Sequence, residues 1–328
     1  MPHKVFVTRR LPGDSLERLA ASVDVDIWQD RFPPPPDVLH LRASDCDGLI
    51  STVSDSVDTS LLNAAPKLRA ISNFAVGFDN IDVAECTARG IPVGNTPGVL
   101  TESTADQTFA LILATSRRVV EAANAVLRGD WVTWEPDFML GRDVHGATLG
   151  IVGKGAIGRA VARRATGFGM KVLFHSRAEN TVPLDQLLAV SDIVSLHCPL
   201  TEETRGLIGE TQLSLMKSTA ILVNTARGPI VDQVALARAL AAGEIAGAGL
   251  DVTAVEPISL DDPLLAMPNC IVLPHLGSAT VATRSRMAEM AVDNIIAGLS
   301  GTAMPNCVNA ESVKSGVTAV GAVEGNMP

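Results

Sequence analysis

The segment Gly153-Lys154-Gly155-Ala156-Ile157-Gly158 constrains this chain more than any other. Its G-x-G-x-x-G spacing follows an apolar run at 148–152 and opens a helical stretch through Arg159, Val161, Ala162 and Ala165. A glycine repeat alone is a weak signal, but between a strand and a helix it is the turn of a dinucleotide-binding βαβ unit. Gly153 allows the tight turn, Gly155 lets the backbone approach a pyrophosphate, and Gly158 lets the helix pack on its strand. The helix start, with Ala156 and Ile157 in its first turn, offers amide donors and a positive dipole end to the phosphates.

The rest of the chain repeats that alternation. β-rich runs at 4–8, 23–28, 48–53 and 68–75 precede a long helical stretch. Further runs follow at 148–152, 171–175, 192–197, 220–225, 247–252 and 271–274. Several are apolar on both faces, as strands of a covered parallel sheet are. The pattern predicts an α/β protein with two Rossmann-like domains, each a doubly wound parallel sheet. At 328 residues, two domains also fit the length. The turn cluster Asn95-Thr96-Pro97-Gly98 ends the first sheet. A helix is expected from Thr101 towards Leu127, long enough at 1.5 Å per residue to pass from one lobe to the other. A last helix over 282–299 would return the chain to the first lobe. The expected domains are therefore 1–99 with 289–310 for substrate and 100–288 for dinucleotide. The segment 311–328, rich in Gly, Ser, Val and Ala, reads as a mobile tail.

A net charge of -10 and 3% aromatic residues argue against nucleic-acid binding. No run approaches the roughly 18 apolar residues of a membrane span, and the N-terminus lacks a signal peptide's apolar stretch. The five cysteines have no pair at C-x-x-C distance, so neither a metal site nor a disulfide framework is expected. A cytoplasmic protein fits these features. An anionic substrate would need its own local cation.

The dinucleotide's identity is read after the next strand, where NAD-binding chains place a carboxylate for the ribose 2′-hydroxyl. Here stands His175-Ser176-Arg177. Ser176 can donate to a 2′-phosphate and Arg177 can pair with its charge. NADP is the expected preference, with NAD possible as a second cofactor.

Three polar residues follow three strands of the second sheet: Arg227, Glu256 and His275. Parallel strands end on one edge, where open α/β sheets bind ligands. Reducing a carbonyl takes a hydride on carbon and a proton on oxygen, and the cofactor supplies only the hydride. His275 suits the proton donor because imidazole titrates near neutrality. Glu256 beside it would favour the protonated form. Arg227 could grip a substrate carboxylate and polarise the carbonyl.

Three blocks resemble the signatures of the D-isomer-specific 2-hydroxyacid dehydrogenases. They are Asn224-Thr225-Ala226-Arg227-Gly228-Pro229-Ile230-Val231-Asp232, Leu250-Asp251-Val252 through Glu256-Pro257, and Pro274-His275-Leu276-Gly277-Ser278-Ala279-Thr280. The resemblance implies two Rossmann-like lobes with a cleft between them, in a homodimer joined through the cofactor lobe. It makes Arg227 the substrate-binding residue, His275 the acid/base and Glu256 its support. It places Thr104, Asp251, His275 and Gly277 beside the cofactor, together with Pro199 and Thr204 of the loop after His197. Val76 and Gly77 resemble the family's loop whose amides hold the substrate carboxylate.

The run from Arg128 through Trp131 and Trp134, with Leu250-Asp251-Val252-Thr253, is most similar to the glyoxylate/hydroxypyruvate reductase branch. That implies NADPH-linked reduction of a small 2-oxo acid, with Trp134 reaching a partner's pocket. A core or interface tryptophan packed on Trp131 is the other reading. Lys154 and Ala156 depart from the family, which commonly has an apolar residue and Arg there. Lys154 would either add charge near the pyrophosphate or point to solvent. Other dehydrogenases of the superfamily (D-lactate, D-3-phosphoglycerate, phosphite) and a dinucleotide-sensing corepressor remain as alternatives.

Overall fold

The computed structural model describes residues 2–313. Their contacts divide them into two units, one holding residues 2–100 with 280–313, the other Thr101–Ala279.

The first unit runs β1 (Lys4–Val7), α1 (Ser15–Ala20), β2 (Asp24–Ile27), α2 (Pro36–Ala43), β3 (Gly48–Ser51), α3 (Thr59–Ala64), β4 (Ala70–Asn73), α4 (Val83–Ala88) and β5 (Val93–Gly94). Its five strands are parallel in the order β2-β1-β3-β4-β5. The strands β3 and β4 are buried along their whole length, which fits the apolar and small residues of Gly48–Ser51 and Ala70–Ser72; the buried Asn73 that ends β4 is hydrogen-bonded. The two-residue β5 was not expected; it sits between Pro92 and Pro97 at the sheet edge, where proline tolerates pairing on one side only.

The second unit runs α5 (Thr101–Ser116), α6 (Val119–Arg128), β6 (Thr148–Val152), α7 (Ala156–Gly167), β7 (Lys171–His175), α8 (Leu184–Val190), β8 (Ile193–Leu196), α9 (Glu210–Leu215), β9 (Ile221–Asn224), α10 (Gln233–Ala242), β10 (Gly247–Leu250) and β11 (Cys270–Val272). Its sheet is parallel throughout, ordered β11-β10-β9-β8-β6-β7. The winding reverses between β6 and β8, so the crevice beyond their carboxyl ends is the place where such sheets hold ligands. Helix α5 lies on β10 closely because that strand is Gly-Ala-Gly-Leu. A Cβ on Gly249 would come 2.8 Å from Thr115 Oγ1 and 3.3 Å from Leu111 Cβ.

The single helix expected from Thr101 towards Leu127 is two. The chain turns at Arg118, which has φ +53, and its guanidinium grips Glu121 at 2.7 and 2.8 Å. The Ser116 carbonyl, which a continuous helix would pair within itself, accepts from the Arg142 amide at 2.8 Å instead. The helix is broken because a later segment takes its last carbonyl.

The last helix, α11 (Val281–Ser300), is capped by Thr280 Oγ1, which accepts from Thr283 N. Its buried face, including Ala288, Val292, Ile295 and Leu299, packs with Val5, Val7, Ile50 and Ala70. The whole helix therefore goes with the first sheet, and the boundary falls at Thr280 rather than at the expected 289. Of the expected tail 311–328, residues 314–328 lie outside the described residues, and Val313 N still donates to Asn309 O. Among the described residues no helix is long and apolar enough to cross a membrane, and all five cysteines are free thiols.

Candidate active site

The glycine turn opens on the switch-point crevice. Gly153 has φ +107, a region that favours glycine, and a Cβ there would come 2.5 Å from the His197 carbonyl carbon. The turn after β6 and the loop after β8 thus meet backbone to backbone. Gly158 is needed for the same reason, since its Cβ would overlap the Gly153 carbonyl oxygen. Gly155 is different. It stands at the N-cap of α7 with nothing within 4 Å of its Cβ position, and the first turn of α7 holds no acidic residue. An open amide-lined helix start without a competing carboxylate fits a pyrophosphate.

His197 is structural. Its ring Nε2 lies 2.8 Å from Ser195 Oγ, its amide donates to Val152 O, and burial pushes the imidazole down to about 3, so it stays neutral. The loop it begins is wound by Thr204, whose hydroxyl donates to Pro199 O at 2.7 Å and accepts from Thr201 N at 2.8 Å. Pro199 and Thr204 therefore shape one rim of the crevice. On the other rim Ser176 Oγ accepts from Ala178 N at 3.0 Å, which leaves its hydroxyl proton to donate elsewhere. The Arg177 side chain is 89% exposed, with Glu203 4.0 Å away.

The loops after β9, β10 and β11 converge on each other. Asn224 closes the first, donating Nδ2 to Arg227 O and accepting from Ala226 N. Gly228 follows because a Cβ there would overlap the Thr253 backbone, which presses the Arg227 loop against the loop after β10. In that second loop Glu256 accepts from Thr253 N at 3.1 Å through Oε1 and holds His275 Nδ1 at 2.8 Å through Oε2.

His275 itself has φ +56, and neighbouring groups fix this left-handed backbone. Its amide donates to Asp251 O, while the Asp251 carboxylate accepts from Leu276 N and Gly277 N, both at 2.7 Å. Burial raises the Asp251 carboxyl above its ordinary range, against the two amides that pull it down. Thr104 Oγ1 donates to Gly277 O, and Thr108 Oγ1 ties Thr104 O to Thr225 Oγ1. Thr104, Asp251, His275 and Gly277 are thus brought together. Thr108, Asn224 and Thr225 belong to the same framework; Thr108 carried no functional signal in the sequence, and Asn224 and Thr225 stood out only as part of the signature block around Arg227.

In the first unit the loop after β4 is held from behind. Asn73 donates Nδ2 to Gly77 O at 2.9 Å, and Asn95 donates to Val76 O at 2.8 Å. With both carbonyls pinned, the Val76 and Gly77 amides have no acceptor among the described residues. Trp134 stands 78% exposed and Trp131 59% exposed after α6, so a core pair of tryptophans is excluded.

This arrangement has a counterpart in known proteins. The model for the NAD binding domain of D-isomer specific 2-hydroxyacid dehydrogenases matches residues 109–277, from within α5 to Gly277. The chain belongs to that family. Among 2-hydroxyacid dehydrogenases it is similar to the glyoxylate reductase of Korarchaeum cryptofilum, 55% identical over 325 residues covering 96% of this chain and 98% of that one. A solved structure from Thermus thermophilus superposes with a TM-score of 0.88 at 48% identity, covering 93% and 99% of the two chains. An NADPH-dependent glyoxylate/hydroxypyruvate reductase from Sinorhizobium meliloti, solved with NADP and malonate, gives a TM-score of 0.84 at 34% identity, covering 94% and 97%. The matched span contains both the glycine turn and the Arg227, Glu256 and His275 loops. This chain is an oxidoreductase with a nicotinamide dinucleotide cofactor.

Proposed function

We propose that this 2-hydroxyacid dehydrogenase reduces glyoxylate and hydroxypyruvate to the corresponding D-2-hydroxy acid (glycolate, for glyoxylate, is achiral), with NADPH preferred over NADH. The observation that carries the chemistry is the 2.8 Å pair between His275 Nδ1 and Glu256. A carboxylate only accepts, so the pair fixes the proton on Nδ1 and leaves Nε2 to hold the proton that the carbonyl oxygen takes. Arg227 pairs with the substrate carboxylate through a planar fork and draws charge from the adjacent carbonyl. The Val76 and Gly77 amides suit a carboxylate oxygen as well. Once bound, the reduced dinucleotide supplies the hydride. The activities of these relatives, a glyoxylate reductase and a glyoxylate/hydroxypyruvate reductase, support the substrate class.

Ser176 and Arg177, in place of a carboxylate, support the NADPH preference. A row of exposed apolar residues on α6 and the loop after it, Val126, Leu127, Trp131, Val132 and Trp134, supports a homodimer built on this side of the cofactor unit. On that reading Trp134 serves the partner's pocket. The domain roles follow: the first unit binds substrate and the second the dinucleotide. Free thiols support a cytoplasmic setting.

Steady-state rates with NADPH and NADH against glyoxylate, hydroxypyruvate and pyruvate test these assignments. The expected result is a lower KM for NADPH and rapid turnover of the first two acids. A lower KM with an equal or higher kcat for NADH overturns the cofactor preference, and slow turnover of all three acids overturns the substrate.

A further inference from the structure

Lys154 sits between two glycines of the phosphate turn, where a cation invites a pyrophosphate role, yet its side chain is turned elsewhere. Its Nζ donates to Glu179 O at 2.9 Å and to Asn180 O at 3.4 Å, across the ends of β6 and β7. On the way its ammonium lies 5.5 Å from the centroid of the Phe174 ring. Its own backbone is fixed too, because Arg159 Nε donates to Lys154 O at 3.0 Å.

The segment it reaches is the loop carrying Ser176 and Arg177. That loop folds back on itself: Thr181 Oγ1 donates to Ser176 O and Ala178 O at 3.2 and 3.1 Å, and Ala178 N donates to Ser176 Oγ. Asn180 adopts φ +55, a left-handed turn that aims its carbonyl and that of Glu179 at the lysine. After it Val182 returns to the edge of β7, donating to Phe174 O at 2.8 Å. The loop is thus closed from within by Thr181, at its base by Val182, and from the phosphate turn by Lys154.

We propose that Lys154 is a specificity-determining positioning residue, which selects the 2′-phosphate by holding the Ser176–Arg177 loop in its closed turn. The proposal rests on the NADPH reading and names a residue outside the two that face the ribose. An ammonium on the pyrophosphate would serve NADH and NADPH equally. One that braces the 176–181 loop affects only the ligand that this loop distinguishes. Flanking glycines suit the role, because they leave no neighbouring side chain between the lysine and the carbonyls it reaches.

The test is calorimetric titration of wild-type protein, Lys154→Met and Lys154→Arg with NADP+ and with NAD+, which differ only in the 2′-phosphate. Methionine keeps an apolar stem across Phe174 and removes the donor. The expected result is a Kd for NADP+ raised about tenfold in Lys154→Met, as for the loss of one charge-assisted hydrogen bond, and restored by arginine. The Kd for NAD+ should stay within about twofold, which also shows that the variant is folded. Equal weakening of both ligands would place the ammonium on the pyrophosphate and overturn the proposal, as would unchanged binding of both. The NADPH reading is judged separately, on wild-type protein. If that binds NAD+ more tightly than NADP+, the preference fails, while the effect of Lys154→Met on NADP+ is still measured.

Discussion

Replacing His275 by alanine is expected to lower kcat by roughly 10²–10⁴-fold with every 2-oxo acid the enzyme turns over, the usual contribution of a positioned acid. Binding of the dinucleotide should change little. The framework that shapes the loop consists of backbone groups at residues 275–277 held by Asp251, and none of it needs the imidazole. Glu256 also keeps its second partner, the Thr253 amide, so the neighbouring loop has no cause to collapse. Alanine tolerates φ +56 less well than histidine, one of the residues enriched in that region, so a modest loss of thermal stability is expected as well. The check is kcat by NADPH oxidation beside a binding titration of the same preparation. Turnover within a few-fold of wild type would remove His275 as the proton donor.

Gly158→Ala should act on the other half of the site. The added methyl would overlap the Gly153 carbonyl oxygen and come 3.2 Å from Ile151 Cγ2, so either the turn or the start of α7 must move. Overpacking of this kind costs about 1–3 kcal/mol, and if the strain is relieved by moving the phosphate turn, dinucleotide affinity falls roughly ten- to a hundredfold. NADPH and NADH should suffer alike, because both place a pyrophosphate there. Gly155→Ala is the matched control. Nothing lies within 4 Å of its Cβ position and its φ is -75°, so thermal stability should be unchanged while dinucleotide binding weakens. Thermal melting and titration of the two variants check this, and a Gly158→Ala protein that binds NADPH like wild type contradicts it.

What could be read in the sequence was whatever its own neighbours determine. The strands β6 and β7 fall at the expected residues because apolar runs bounded by turn residues define them locally. The glycine turn was legible for the same reason, since Gly158 answers a clash within its own βαβ unit and Gly153 one with the adjacent loop, while Gly155 leaves the start of α7 open. Arg227, Glu256 and His275 could be placed after three parallel strands, and parallel strands share an edge.

Features set by distant segments were not legible. The break at Arg118 depends on Arg142 reaching the Ser116 carbonyl, and the boundary at Thr280 depends on which sheet covers α11. The left-handed backbone of His275 is imposed by Asp251, 24 positions earlier, through hydrogen bonds that no periodicity encodes. Lys154 looked like a choice between phosphate and solvent, and the structure turns it to the carbonyls of a loop after the next strand.

The stereochemical outcome bears most directly on the proposed reaction. Hydroxypyruvate and NADPH should be incubated with the enzyme to completion and the glycerate formed resolved on a chiral column. The expected result is D-glycerate in amounts matching the NADPH consumed. L-glycerate, or NADPH left unoxidised, would contradict the assignment of this chain as a D-specific 2-oxo-acid reductase.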